Sequence, residues 1–167
     1  MAKRLQFKDR RGPMTGALAR LHLKADRLYP AVGELADEVG FDSARQNPFH
    51  NNLAQALEVA QVVEDCIDAL GRLELKHEDR QVPDGCGTGA AMTEAPRGLL
   101  YHAYTVDRKG LIEHGRIMTP TVHNFQSIED DLQTLAASMA DQSVDEIKLH
   151  CEMLVRAYDP CFSCSVH

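Results

Sequence analysis

The residues best suited to chemistry stand in one short run, Asp159-Pro160-Cys161-Phe162-Ser163-Cys164-Ser165-Val166-His167. Two thiols separated by two residues can converge on one soft or borderline metal ion, and His167 adds an imidazole. Pro160 fixes its own φ and biases Asp159 away from helix, so a helix arriving from upstream must stop there. The pattern predicts a metal-binding hook over residues 159–167, carried on a helix end. Two other thiol chemistries could use the same residues. A thioredoxin-like pair needs its first thiol at a helix N-terminus, which lowers the thiol pKa, and three residues after Cys164 leave no room for that helix. A structural zinc site could take Cys161, Cys164 and His167 with Cys86 or Cys151, but the usual second paired motif is not visible.

The hook must be reached by other segments. Residues 99–106 and 111–118 are rich in β-formers and flank Asp107-Arg108-Lys109-Gly110, which predicts a hairpin. Pro96-Arg97 precedes its first strand and Pro120-Thr121 follows its second, so antiparallel pairing brings both segments to one end. Arg97 keeps its charge and offers a rigid fork of donors. Asp159 is a natural partner to orient that fork.

The remaining elements read as helices. Residues 14–38 carry Leu18, Leu21, Leu28, Val32 and Leu35 at helical spacing, with a break or kink at Pro30. A long helix over 47–73 places Leu53, Leu57, Ala60, Val63, Cys66, Ile67 and Leu70 on one face, Cys66 being read as a small buried hydrophobe. Residues 76–89 read as a charged linker whose glycines, Gly85, Gly87 and Gly89, let the backbone pass something bulky; no strand precedes them to support a phosphate cradle. Ser127 reads as a cap for a helix to residue 140. Ser143 and Glu146 form a capping box for the last helix, whose face carries Val144, Ile147, Cys151, Leu154 and Tyr158 up to Asp159-Pro160. His102, His114, His123 and His150 lack metal spacing with one another and read as structural or exposed. The fold class is mainly α with a small β hairpin, an α+β domain over 1–167.

With 167 residues and 44% hydrophobic composition the chain can build one modest core. A net charge of −7 argues against nucleic acid as a partner. Residues 1–13 begin with Lys3, Arg4, Lys8, Arg10 and Arg11, a basic arm that is either solvated or laid over a second polypeptide. No apolar run approaches the roughly 20 residues that span a bilayer, so direct membrane insertion is not expected. Five unevenly spaced cysteines do not make a secreted disulfide framework; a reducing cytoplasm fits them.

Residues 159–167 resemble the C-terminal signature of the large, catalytic subunit of nickel-iron hydrogenases, Asp-Pro-Cys-x-x-Cys-x-x-His. Glu94-Ala95-Pro96-Arg97-Gly98 resembles that family's Glu-Ala-Pro-Arg-Gly segment, Pro120-Thr121-Val122-His123-Asn124 its Pro-Thr/Ser-x-x-Asn segment, and residues 51–70 its long buried helix. The resemblance implies a helical-bundle C-terminal half of that subunit. It implies Cys161 as a terminal thiolate on nickel and Cys164 as a bridge between nickel and iron, the iron carrying cyanide and carbon monoxide built by maturation proteins. It implies His167 as ligand to a magnesium or iron ion. Arg97 would stand over the open face of the metals, with Pro96 shaping the gas cavity, Thr121 donating to a cyanide, and Glu94 anchoring the loop rather than relaying protons. The implied reaction is reversible heterolysis of H2, with electrons leaving through iron-sulfur clusters of a small subunit. The family's precursors are usually cut after the terminal histidine, so an end at His167 resembles either the mature form or a form made without the extension.

The family also needs a Cys-Gly-x-Cys pair and a glutamate proton gate from its N-terminal half, and neither is present. Asp84-Gly85-Cys86-Gly87-Thr88-Gly89 supplies one thiol only. The expectation is therefore a split catalytic subunit, inactive alone and completed by a polypeptide bearing the missing pair. A non-catalytic sensor or structural relative is the main alternative, and a zinc-stabilised interaction module the other. The intact Cys161 and Cys164 favour the catalytic reading.

Overall fold

A computed structural model describes residues 12–42, 47–79 and 85–161. Helix α1 (Ala17–Lys24) runs into a 3-10 turn (Ala25–Arg27) and then α2 (Pro30–Glu38). A second 3-10 turn (Pro48–His50) leads into the 22-residue α3 (Asn51–Arg72). Strands β1 (Gly87–Ala95), β2 (Gly98–Val106) and β3 (Ile112–Met118) form one antiparallel sheet in that order. Helices α4 (Pro120–Ser138) and α5 (Val144–Ala157) complete an α+β fold.

Local chemistry explains most boundaries. Pro30 opens α2 at its first position, where its ring pre-sets φ and its missing N–H costs nothing. The capping box is present as expected: the Ser143 hydroxyl accepts from the Glu146 N–H, and the Glu146 carboxylate accepts from the Ser143 N–H at 3.0 Å. The expected 107–110 loop joins β2 to β3, with Tyr101 opposite Met118.

Three expectations are corrected. The last three residues of the expected 76–89 linker open β1 instead, which pairs from Gly87 opposite Val106 to Ala95 opposite Gly98. Gly87 and Gly89 pass nothing bulky, since a β-carbon there would meet open space. Helix α4 begins at Pro120 rather than near Ser127; the Ser127 hydroxyl donates instead to the Gly12 carbonyl at 2.7 Å. Cys66 is exposed rather than buried, because the second half of α3 has no neighbour on that side among the described residues. Val59, Ile67 and Leu70 are 66%, 59% and 72% exposed.

The core joins α1, α2 and the first half of α3 through Leu18, Leu21, Ala36, Ala54 and Leu57. A fully buried leucine such as Leu57 contributes about 1.5–3 kcal/mol. Helices that pack end-on must also satisfy their orphaned terminal groups. Asn51, itself buried, does this for two: its Oδ1 accepts from the Leu18 N–H at 3.2 Å, and its Nδ2 donates to the Ala157 carbonyl at 2.8 Å. One side chain thus ties the start of α1 to the end of α5. Asn124 on α4 works the same way on Thr15, accepting from its N–H at 2.7 Å and donating to its carbonyl at 3.0 Å.

Beside Asn124, His123 is buried with no hydrogen-bond partner for Nε2 among the described residues. Burial disfavours its charged form and lowers its pKa below the ordinary 6.5.

Asn51→Ala leaves a buried donor and a buried acceptor unpaired and should lower the unfolding free energy by about 2–3 kcal/mol, measured by urea titration. For His123 the unfolded chain binds a proton that the folded chain refuses below pH 6.5. Its contribution is therefore full above that pH and is lost as pH falls through the window beneath it. Thermal unfolding of wild type and His123→Gln across that window should converge in pH dependence at neutral pH and diverge in acid.

Candidate functional site

The sheet and helices bring distant segments to one end, as the hairpin geometry anticipated. Pro96 and Arg97 form a two-residue turn linking β1 to β2. Thr121 is the second residue of α4, just past the end of β3. Asp159, Pro160 and Cys161 follow the end of α5. Cys164 and His167 lie outside the described residues, so the second half of the predicted hook has no position here.

Asp159 departs from the helix with φ 48°, in the left-handed region that Asp tolerates better than most residues. Its Oδ2 accepts from Gln55 Nε2 at 3.0 Å and forms an ion pair with Arg97, 3.0 Å from Nε. The ion pair is partly solvated, with side-chain exposures of 47% and 35%, and exposed pairs contribute only about 0–1 kcal/mol to stability. Its effect is orientation. Arg97 makes only this ion pair among the described residues, which leaves both Nη groups of its fork available to a further acceptor.

Cys161 is half-buried and outside any disulfide. Its N–H donates to Thr121 Oγ1 at 2.9 Å. That bond uses an oxygen lone pair of Thr121 and leaves the hydroxyl proton to donate elsewhere. Thr121 is buried, so the Cys161 peptide is tied to the packed start of α4. The structure thus unites Arg97, Thr121, Asp159 and Cys161, with Pro96 in the turn itself.

Glu94 does not join them. Its carboxylate accepts from Arg20 Nη1 at 2.5 Å, which agrees with anchoring. Arg20 also grips Glu58, Nε to Oε1 at 2.6 Å and Nη2 to Oε2 at 2.6 Å. Glu58, ahead of Glu94, holds the Arg20 guanidinium more firmly protonated than usual against the opposing cost of burial. Arg20, Glu58, Gln55 and Asn51 escaped the sequence reading. A signal was present: Asn51, Gln55 and Glu58 stand at positions i, i+4 and i+7 of α3, a polar stripe on an otherwise apolar helix face.

Among the described residues no three His, Cys, Asp or Glu side chains gather as a metal site. The groups present suit one wall of a thiolate-bound centre: a cysteine whose peptide is held by a buried hydroxyl, and a cation paired with the aspartate two residues before that cysteine. Thiolates select soft and borderline metals, nickel and iron included.

Similarity to known proteins points to one family. The family described as nickel-dependent hydrogenase matches residues 12–167. The alpha subunit of sulfhydrogenase 1 from Pyrococcus furiosus is 40% identical over 159 residues, covering 92% of this chain and 36% of that protein. A subunit of the F420-non-reducing hydrogenase from Methanothermobacter marburgensis is 36% identical over 159 residues, covering 90% and 33%. A solved NAD+-reducing [NiFe]-hydrogenase in the H2-reduced state superposes with TM-score 0.68 at 28% identity, over 92% of this chain and 36% of the other. The Ni-Fe-Se hydrogenase from D. vulgaris Hildenborough shares the fold, with TM-score 0.70 at 20% identity over 93% and 36%. The chain therefore spans about a third of the length of the curated relatives it matches. Over residues 12–167 it belongs to the nickel-dependent hydrogenase family.

Proposed function

We propose that the chain forms, as a single domain over 1–167, the C-terminal part of the catalytic subunit of a nickel-iron hydrogenase that reversibly cleaves H2. The observation that carries this reading is the meeting of Arg97, Asp159, Thr121 and Cys161 from three separate segments. Cys161 and Cys164 hold the nickel-iron centre, whose iron carries cyanide and carbon monoxide supplied by maturation proteins, and His167 holds magnesium or iron. When bound, that centre supplies the redox-active metals at which H2 is polarised. The chain's own residues set its surroundings. Asp159 fixes the Arg97 guanidinium through Nε, and Gln55 fixes Asp159. Arginine stays protonated at working pH, so it presents a constant positive field and donors that cost no reorganisation. Thr121 holds the Cys161 peptide and keeps its hydroxyl proton to donate.

With Cys161 the one cysteine at this site among the described residues, and a single chelating pair in the sequence, the centre needs more protein. The reading assigns the missing Cys-Gly-x-Cys pair to polypeptide that corresponds to the relatives' remaining length. It assigns electron transfer to an iron-sulfur small subunit. It puts the assembly in the cytoplasm, where thiols stay reduced. The exposed flank of α3 supports a further partner. Val59, Val63, Cys66 and Leu70 recur at spacings of four, three and four, the seam that a second helix packs against.

Elemental analysis of the natively purified chain with its copurifying polypeptides is the decisive measurement. Nickel and iron near one each, with a partner carrying the second cysteine pair, are expected; zinc alone, or no metal and no such partner, overturns the reading. In the loaded complex Arg97→Lys keeps charge but loses the fork, so H2-dependent isotope exchange per nickel should fall roughly 100-fold with metal content unchanged.

A further inference from the structure

Every N–H of Arg20 is spent. Nε and one Nη2 hydrogen take the two oxygens of Glu58, at 2.6 Å each. Nη1 takes Glu94 Oε2 at 2.5 Å and the Ala95 carbonyl at 3.0 Å, and Nη2 takes the Pro96 carbonyl at 2.8 Å. Five donors meet five acceptors, three of them from the last two residues of β1 and the first residue of the turn. Arg97, next in the chain, makes only an ion pair among the described residues, with Nε 3.0 Å from Asp159 Oδ2. The two arginines therefore differ in kind: one is consumed by the scaffold and the other is held ready.

We propose that Arg20 is the positioning residue for Arg97, fixing the Pro96–Arg97 turn so that Arg97 stays in its ion pair with Asp159. The Pro96 carbonyl and the Arg97 N–H share one planar peptide. Holding that carbonyl fixes the plane from which Arg97 departs, and the proline ring already fixes φ on its other side. The turn is closed in from α1 as well. A β-carbon on Gly16 would lie 3.1 Å from the Arg97 carbonyl, and one on Gly98 would collide with the Thr15 side chain, so both close approaches need glycine. Little but the Arg97 side chain itself is left to choose a partner.

Glu94 is three residues from Arg97 on the same hairpin and is the nearest carboxylate in sequence. Occupied by Arg20, it does not compete with Asp159 for the Arg97 guanidinium. A lysine at position 20 would keep the charge but supply three donors without the planar fork. It could not grip Glu58 side-on and hold Glu94 and two carbonyls together.

The test is Arg20→Lys, read first by proton exchange of the Arg97 Nε–H in the full chain by NMR. Exchange should quicken roughly tenfold, while the Asn124 side-chain amide keeps its protection. Unchanged Arg97 protection overturns the proposal, and so does an equal loss at both sites, which would make Arg20 a general structural brace. Arg20→Lys/Glu94→Gln, lacking the competing carboxylate, should recover part of the Arg97 protection. Glu58→Gln loosens Arg20 from the α3 side without touching the turn; it carries the same expectation at smaller amplitude if Arg20→Lys does not fold. In the metal-loaded complex the activity consequence rests on the proposed hydrogenase function: exchange per nickel should fall roughly tenfold at unchanged nickel and iron content. A wild-type complex inactive with full metal would sink that function, and the Arg97 exchange rate would still decide the role of Arg20.

Discussion

Asp159 carries the constraint on which the site depends. It follows the last turn of α5, precedes a proline that forbids further helix, and adopts a left-handed φ of 48°. Such a conformation costs a non-glycine residue about 1–2 kcal/mol. Here it turns the chain abruptly from the helix toward Thr121, and the carboxylate gains Gln55 as a donor and Arg97 as an ion-pair partner. The backbone turn and the ion pair are one arrangement. Without the turn, Cys161 would not meet α4; without those partners, little would hold the turn.

Polar side chains, more than the small apolar core, decide how the helices sit around that turn. Asn51 joins α1 to α5, Gln55 reaches Asp159, and Glu58 receives Arg20, all from one stripe of α3. Each pairs a group that burial would otherwise leave costly. The neighbouring apolar flank of the same helix is bare among the described residues. α3 thus has one finished side, facing the site through hydrogen bonds, and one unfinished side made for hydrophobic contact.

The electrostatic pattern separates scaffold from chemistry. Arg20 sits among two carboxylates and two carbonyls with no donor to spare. Arg97 sits half-exposed on one carboxylate oxygen. A saturated cation is a fixed strut, whereas an unsaturated one beside a cysteine is a means of binding or polarising something else.

Features that depend on near neighbours were readable from the residues alone. The Ser143–Glu146 capping box, the stop at Pro160, the helix opening at Pro30 and the loop between β2 and β3 all came from contacts within a few positions. The convergence of Arg97 with Thr121 was also readable, because antiparallel pairing is a simple geometric rule. Strand β1 was not: Gly87-Thr88-Gly89-Ala90-Ala91 has weak strand propensity and becomes a strand through pairing with β2. Ser127 looked like a helix cap because a hydroxyl near a polar run has that local use, yet its acceptor lies 115 positions away. Arg20 looked like one more helix residue because its five acceptors come from positions 58 and 94–96. Sequence spacing by itself determined which thiols stand a chelating distance apart along the chain and where helices must end. Only tertiary structure decided which arginine is spent and which is available, because hydrogen-bond saturation is a property of neighbours that the chain brings together by folding.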